Sequence, residues 1–193
     1  MKVKVMVPAF AAALGLTLAS FAVAATVKGT PGNDILNGTN GADVIAAFAG
    51  DDAVNALNGR DLVFGGPGND TIDAGYGADF VFGGAGNDTI LGNNGPDLLR
   101  GRAGDDTVDG GDGRDILFGG WGTDTLRGGA GNDRLHAVAK DGLLDTLDCG
   151  DGNRDVAVIR EGEPVSLTGC ETIKTVPADF APKGEPGEPG DGS

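Results

Sequence analysis

Between Gly29 and His136 the chain divides into twelve consecutive nonapeptides with no insertion. Three columns of that repeat never break. The fourth residue is always glycine, from Gly32 to Gly131. The sixth is always aspartate: Asp34, Asp43, Asp52, Asp61, Asp70, Asp79, Asp88, Asp97, Asp106, Asp115, Asp124 and Asp133. The eighth is always aliphatic: Leu36, Ile45, Val54, Val63, Ile72, Val81, Ile90, Leu99, Val108, Leu117, Leu126 and Leu135. A strict short period of this kind restricts the chain to an architecture that is itself periodic.

Triplets such as Thr71-Ile72-Asp73 form very short strands whose middle side chain points inward. The six residues before them, such as Gly65 to Asp70, turn the chain, with glycine supplying the positive φ that other residues resist. One strand and one turn cannot bury a core. Two nonapeptides make a flattened coil of eighteen residues, and coils stacked by parallel pairing bury a continuous aliphatic ladder. The aspartates then fall in two columns, one along each edge, with neighbours about 4.8 Å apart. At that spacing two carboxylates repel by roughly 0.9 kcal/mol even in water. A hard divalent cation between successive turns removes the repulsion. Calcium suits carboxylate and backbone carbonyl oxygens, whereas magnesium demands octahedral geometry and keeps its waters. The competing reading is that the aspartates only cap turns by accepting backbone amides, and twelve in phase weigh against it.

Composition narrows the function. There are 24 aspartates against 5 glutamates, and the formal charge is −15. That acidity opposes a nucleic-acid or anionic-membrane partner, which basic groups would have to hold. With His136 the only histidine and Ser166 the only serine within the folded region, the sequence offers no hydrolytic triad. No HExxH, CxxC or P-loop motif is present, so an enzyme is not expected and a hydrolase is disfavoured.

The segments GGPGNDTID, GGAGNDTIL, GGDGRDILF and GGWGTDTLR closely resemble the GGxGxDxUx repeat of the RTX, or hemolysin-type, calcium-binding family. The resemblance spans residues 29–136. It implies an all-β fold, a right-handed parallel β-roll stacked on calcium ions, with about ten interior sites at most. It also implies that the twelve sixth-position aspartates are the metal ligands. The repeats beginning Ala47-Phe48 and Ala56-Leu57 depart from the pattern's Gly-Gly, and Pro96 takes a fifth position. Sites on the Ala47–Asp52 and Ala56–Asp61 turns are expected to bind more weakly or stay empty.

Residues 1–24 have a basic start at Lys2 and Lys4, an uncharged run from Val5 to Val23, and the small-residue exit Ala22-Val23-Ala24. That pattern describes a secretory signal peptide, with a membrane anchor as the other reading. It predicts a secreted, extracellular protein with no membrane span after its removal. Many RTX proteins are exported through an uncleaved C-terminal signal, and the N-terminal leader here points away from that route.

Positions seven and nine point outward, and alternate repeats face opposite sides. One face carries Thr71, Thr89, Thr107 and Thr125. Those threonines suggest an ice-binding row only weakly, because Asp73, Leu91, Asp109 and Arg127 beside them are not uniform. The other face carries Leu62, Phe64, Phe80, Phe82, Leu98, Ile116 and Phe118. An apolar stripe of that kind marks a contact surface. The C-terminal segment folding back over it, a homodimer or protein partner, and membrane contact compete for it, the last disfavoured by charge.

Residues 137–176 read as a capping region in which the phase slips, with extra residues before Asp145 and Asp155 and strands at Val156 to Ile159 and Val165 to Leu167. The only cysteines, Cys149 and Cys170, fall here and are expected to pair in an oxidising compartment. Residues 177–193, rich in Pro, Gly and Glu, read as a disordered tail. The expected function is a calcium-coupled structural, surface or adhesive module. The alternative is an accessory module for a separately encoded secreted enzyme or toxin.

Overall fold

The computed structural model describes residues 24–179, so most of the expected signal peptide (1–24) and most of the expected tail (177–193) lie outside the described residues. Every hydrogen-bonded strand pair is parallel, and most partners in the repeats lie eighteen residues apart, two nonapeptides to a coil. A nine-stranded sheet takes Thr26–Lys28, Val44–Ala46, Leu62–Pro67, Phe80–Ala85, Leu98–Ala103, Ile116–Trp121, Arg134–Ala137, Val156–Arg160 and Thr172–Val176. An eight-stranded sheet takes Ile35–Asn37, Ala53–Asn55, Thr71–Asp73, Thr89–Leu91, Thr107–Gly113, Thr125–Gly131, Asp145–Asp148 and Val165–Thr168. Consecutive strands alternate between the two sheets, and the chain winds as an all-β solenoid with no helix among the described residues.

The eighth-position side chains from both sheets form one core cluster, and from Val63 to Leu135 each is fully buried. Because each coil touches only its neighbours, a gap in one rung is felt on both sides. Leu117→Ala is therefore expected to cost about 2–5 kcal/mol. A denaturant midpoint in calcium checks this, with Thr125→Ala on the outer face as the mild control.

The strands are longer than triplets in the middle of the stack, because the turns pair too. Gly66 and Pro67 lie in register with Gly84 and Ala85, and the Gly68 amide donates to the Ala85 carbonyl at 2.7 Å. Identical turns stacked in register bring their own amides and carbonyls together, and the period alone does not show this. It also explains the fourth glycine from Gly50 onward. A Cβ at Gly59 would stand 2.5 Å from the Gly41 carbonyl oxygen one coil below, and φ at Gly59 is 146°. At the second position Phe48, Leu57, Asn93 and Arg102 take the left-handed conformation without glycine's freedom, with φ from 68° to 90°.

The cap does not fold back. Val156–Arg160 pairs with Thr172–Val176, and Asp145–Asp148 with Val165–Thr168, so the described part of the C-terminal region extends both sheets along the stack. Residues 145–176 thus add rungs to the stack, because stacked edges need a next rung. The stripe is also less bare than expected. The Phe64 ring, 38% exposed, stacks on Phe82 with centroids 5.3 Å apart. The Arg100 guanidinium lies 4.5 Å from the Phe118 ring centre, Arg102 lies 4.9 Å from that of Phe82, and Arg60 lies 5.1 Å from that of Phe80. Phe118 in turn stacks on His136, whose pKa burial and the nearby Arg134 and Arg100 push down to about 4.

The expected disulfide is present. Cys149 and Cys170 are bonded across 5.1 Å between Cα atoms and join the two last coils.

Candidate metal centre

Each sixth-position aspartate ends a turn and begins a strand, so stacking sets its carboxylate against the backbone of the coil before. One oxygen is committed there. Asp70 Oδ1 accepts the Asp52 amide at 2.9 Å, Asp88 Oδ1 that of Asp70 at 2.8 Å, and Asp106 Oδ1 that of Asp88 at 2.8 Å. The same bond recurs up the other edge, where Asp79, Asp97, Asp115 and Asp133 accept the amides of Asp61, Asp79, Asp97 and Asp115. Turn-capping by aspartate is therefore real, and it uses one oxygen only.

The second oxygen has no partner. Oδ2 of Asp52, Asp61, Asp70, Asp79, Asp88, Asp97, Asp106, Asp115, Asp124 and Asp133 is buried without a hydrogen bond. A buried carboxylate oxygen left unpaired is costly, and ten in two files demand a positive charge or protons. Burial, with a neighbouring coil's carboxylate adding to it, pushes these groups up: Asp70 and Asp79 to about 6, Asp88, Asp115 and Asp124 to about 7, Asp97 and Asp106 to about 8.

The space beside each Oδ2 is oxygen-lined. A Cβ on Gly110 would stand 2.6 Å from both Asp115 Oδ2 and the Gly128 carbonyl of the next coil. Gly65, Gly83, Gly92, Gly101, Gly119 and Gly128 likewise face the carboxylate of their own repeat. Carboxylate and carbonyl oxygens around a recess that only glycine leaves open are the donors a hard cation takes. Ala47, Ala56 and Ala74 carry a methyl group at this position, and the third of these escaped the sequence reading. Among the described residues no three His, Cys, Asp or Glu side chains gather in one cluster. Each recess thus relies on backbone carbonyls beside its aspartate.

Asp34 and Asp43 differ from the rest. The Thr30 amide and hydroxyl both donate to Asp34 Oδ2, the hydroxyl at 2.9 Å, and the Thr39 amide donates to Asp43 Oδ2 at 2.6 Å. In these first two turns the second position is threonine, and it supplies what the other repeats leave open. Two further aspartates join the columns after the phase slip. Asp145 Oδ1 accepts the Asp124 amide at 2.9 Å, and Asp155 Oδ1 accepts that of Asp133 at 2.8 Å. The sequence signal was an aspartate ahead of an aliphatic-centred triplet, Thr146-Leu147-Asp148 and Val156-Ala157-Val158.

A second ladder runs outside one column only. Asn69 Oδ1 accepts the Asn87 amide at 2.7 Å, Asn87 Oδ1 that of Asp105 at 3.0 Å, and Asp105 Oδ1 that of Thr123 at 2.8 Å. The opposite edge has Arg60, Ala78, Pro96 and Arg114 at the fifth position and makes no such ladder.

No curated protein matches the chain at a significant level. The family described as the RTX calcium-binding nonapeptide repeat, in four copies, matches residues 28–63, 56–90, 64–99, 91–126 and 118–137, more than half of the chain. The period, the stacked parallel coils and the two files of half-satisfied aspartates agree with that match, and the chain belongs to the RTX calcium-binding repeat family.

Proposed function

We propose that this protein is a secreted rod whose folding is coupled to calcium, serving as a structural, surface or adhesive module. The observation that carries the proposal is the row of ten buried, unpartnered Oδ2 atoms. A bound calcium ion would supply the positive charge that these oxygens lack. The chain's own part is to hold one carboxylate oxygen on the neighbouring coil's amide and aim the other at the glycine recess. Asp70, Asp88, Asp97, Asp106, Asp115, Asp124 and Asp133, whose repeats begin with glycine, make the stronger sites. Asp52, Asp61 and Asp79, behind Ala47, Ala56 and Ala74, make weaker ones. Asp34 and Asp43, occupied by threonine donors, act as N-terminal caps.

Secretion is supported by the leader-like residues 1–24 and by the disulfide, which persists in oxidising compartments. The accessory role for a separately encoded enzyme or toxin draws support from the face carrying Leu62, Phe64, Phe80, Phe82, Leu98, Ile116 and Phe118. Sedimentation in calcium distinguishes a self-associating face from one reserved for another protein.

The test of the folding proposal is far-UV circular dichroism titrated with calcium and, separately, magnesium. A cooperative gain of β signal with calcium alone is expected. A full β signal in chelator would make the aspartates plain turn-formers and overturn the proposal.

A further inference from the structure

The aspartate file on the nine-stranded side does not stop with the repeats. Its last member, Asp155, is fully buried, and its Oδ2 has no hydrogen-bond partner. A Cβ on Gly152 would collide with the Gly131 carbonyl of the coil before and with both Asp155 carboxylate oxygens, so these three oxygens converge on a spot that only glycine leaves open. The following coil supplies no aspartate. Glu171 stands in its place, with Oε2 accepting the Asp155 amide at 2.7 Å. All of this except Gly131 lies beyond residue 137, where the repeat match ends.

The disulfide brackets this end. Cys170 directly precedes Glu171. The Cys149 carbonyl, together with Asp133 Oδ2, faces the recess at Gly128 one position earlier. A single Cys149–Cys170 bond therefore holds main chain beside the last two positions of the file.

We infer that the cap contains a calcium site of its own, built from Asp155, the Gly131 carbonyl and Glu171 and held in shape by the Cys149–Cys170 disulfide. It rests on the calcium reading of the repeats and adds a ligand type and a dependence on the disulfide that the repeats lack. Glu171 closes the file where no further repeat exists, and the covalent bond substitutes for the missing neighbouring coil.

Equilibrium dialysis of the full chain against calcium, counting ions per chain, tests this. Glu171→Gln keeps an oxygen for the Asp155 amide but removes the charge. It is expected to bind one ion fewer than the parent at the same calcium concentration, with an unchanged β signal. Glu161→Gln, at an exposed side chain nearby, is expected to match the parent. Cys149→Ser with Cys170→Ser is expected to lose the same single ion. An unchanged count in Glu171→Gln overturns the site, and an unchanged count in the double serine variant overturns the clamp. If the parent itself binds no calcium, the reading of the whole roll fails with it. Should Glu171→Gln not fold, carboxylate carbon resonances of Asp155 and Glu171 in the parent decide. Both shift on calcium addition if the site binds, and a Glu171 resonance that stays in place overturns it.

Discussion

Stripped of calcium, the protein is expected to gain β structure as the pH is lowered from about 8 to about 5, the opposite of ordinary acid denaturation. Burial pushes the folded-state pKa values of the file carboxylates up, to about 6 at Asp70 and about 8 at Asp106. In the unfolded chain the same groups titrate near 3.9. Between those limits the folded state binds more protons than the unfolded one. The ion-free fold is therefore most stable near pH 4 and loses stability as pH rises through 6 to 8. Protons do there what a cation does at neutral pH. With calcium present the dependence reverses, because only an ionised carboxylate binds the ion, so the calcium midpoint rises on acidification. Circular dichroism in calcium-free buffer at the two pH values, followed by calcium titrations at each, reads both effects. A β signal in calcium-free buffer that falls or stays level on acidification would contradict the burial of these groups.

The second large effect is a contrast between two aspartates that look identical in the repeat. Asp106→Asn keeps an oxygen for the Asp88 amide but replaces the unpartnered Oδ2 with an amide group. Losing a charged ligand of that kind costs about 1.5–3 kcal/mol, so the calcium midpoint is expected to rise roughly ten- to hundredfold. The ion-free fold should gain stability in the same variant at neutral pH, because a buried carboxyl that must take up a proton on folding is gone. Asp34→Asn acts differently, since Thr30 already donates twice to Asp34 Oδ2. It is expected to cost about 1 kcal/mol at the N-terminal end and to leave the number of bound ions unchanged. Calcium counting and chelator-state melting on the two variants separate these outcomes. Equal calcium loss in both would mean that the threonine donors do not satisfy Asp34.

The aliphatic ladder and the two aspartate columns were legible because each depends on position within the period and on little else, and the cysteine pair because the sequence holds only two cysteines. Leu117 is inward wherever the eighth position is inward. Features set by the neighbouring coil were not legible. The division of labour between Oδ1 and Oδ2 depends on which amide lies eighteen residues away. The satisfaction of Asp34 depends on a threonine four residues earlier that an alignment of columns treats as a mere departure from glycine. The arginines lying across Phe82 and Phe118 come from a neighbouring rung, so a list of apolar outer residues overstated the bare surface. Asp155 was legible as the aspartate of a slipped repeat, whereas Glu171 was obscured because it stands where a further aspartate would and only the stacking shows it.

The two-repeat coil also sets the units in which this molecule can change length. Removing eighteen residues from the regular region, for example 83–100, deletes one whole coil. Every remaining column stays on its own edge, and the rod shortens by about 4.8 Å. Removing nine residues instead exchanges the two edges for everything downstream. The asparagine ladder at Asn69 and Asn87 would then abut the edge of Arg114, and the threonine face would continue into the phenylalanine face. Growth and loss by pairs of repeats are thus structurally silent, whereas a single repeat is a frameshift in space.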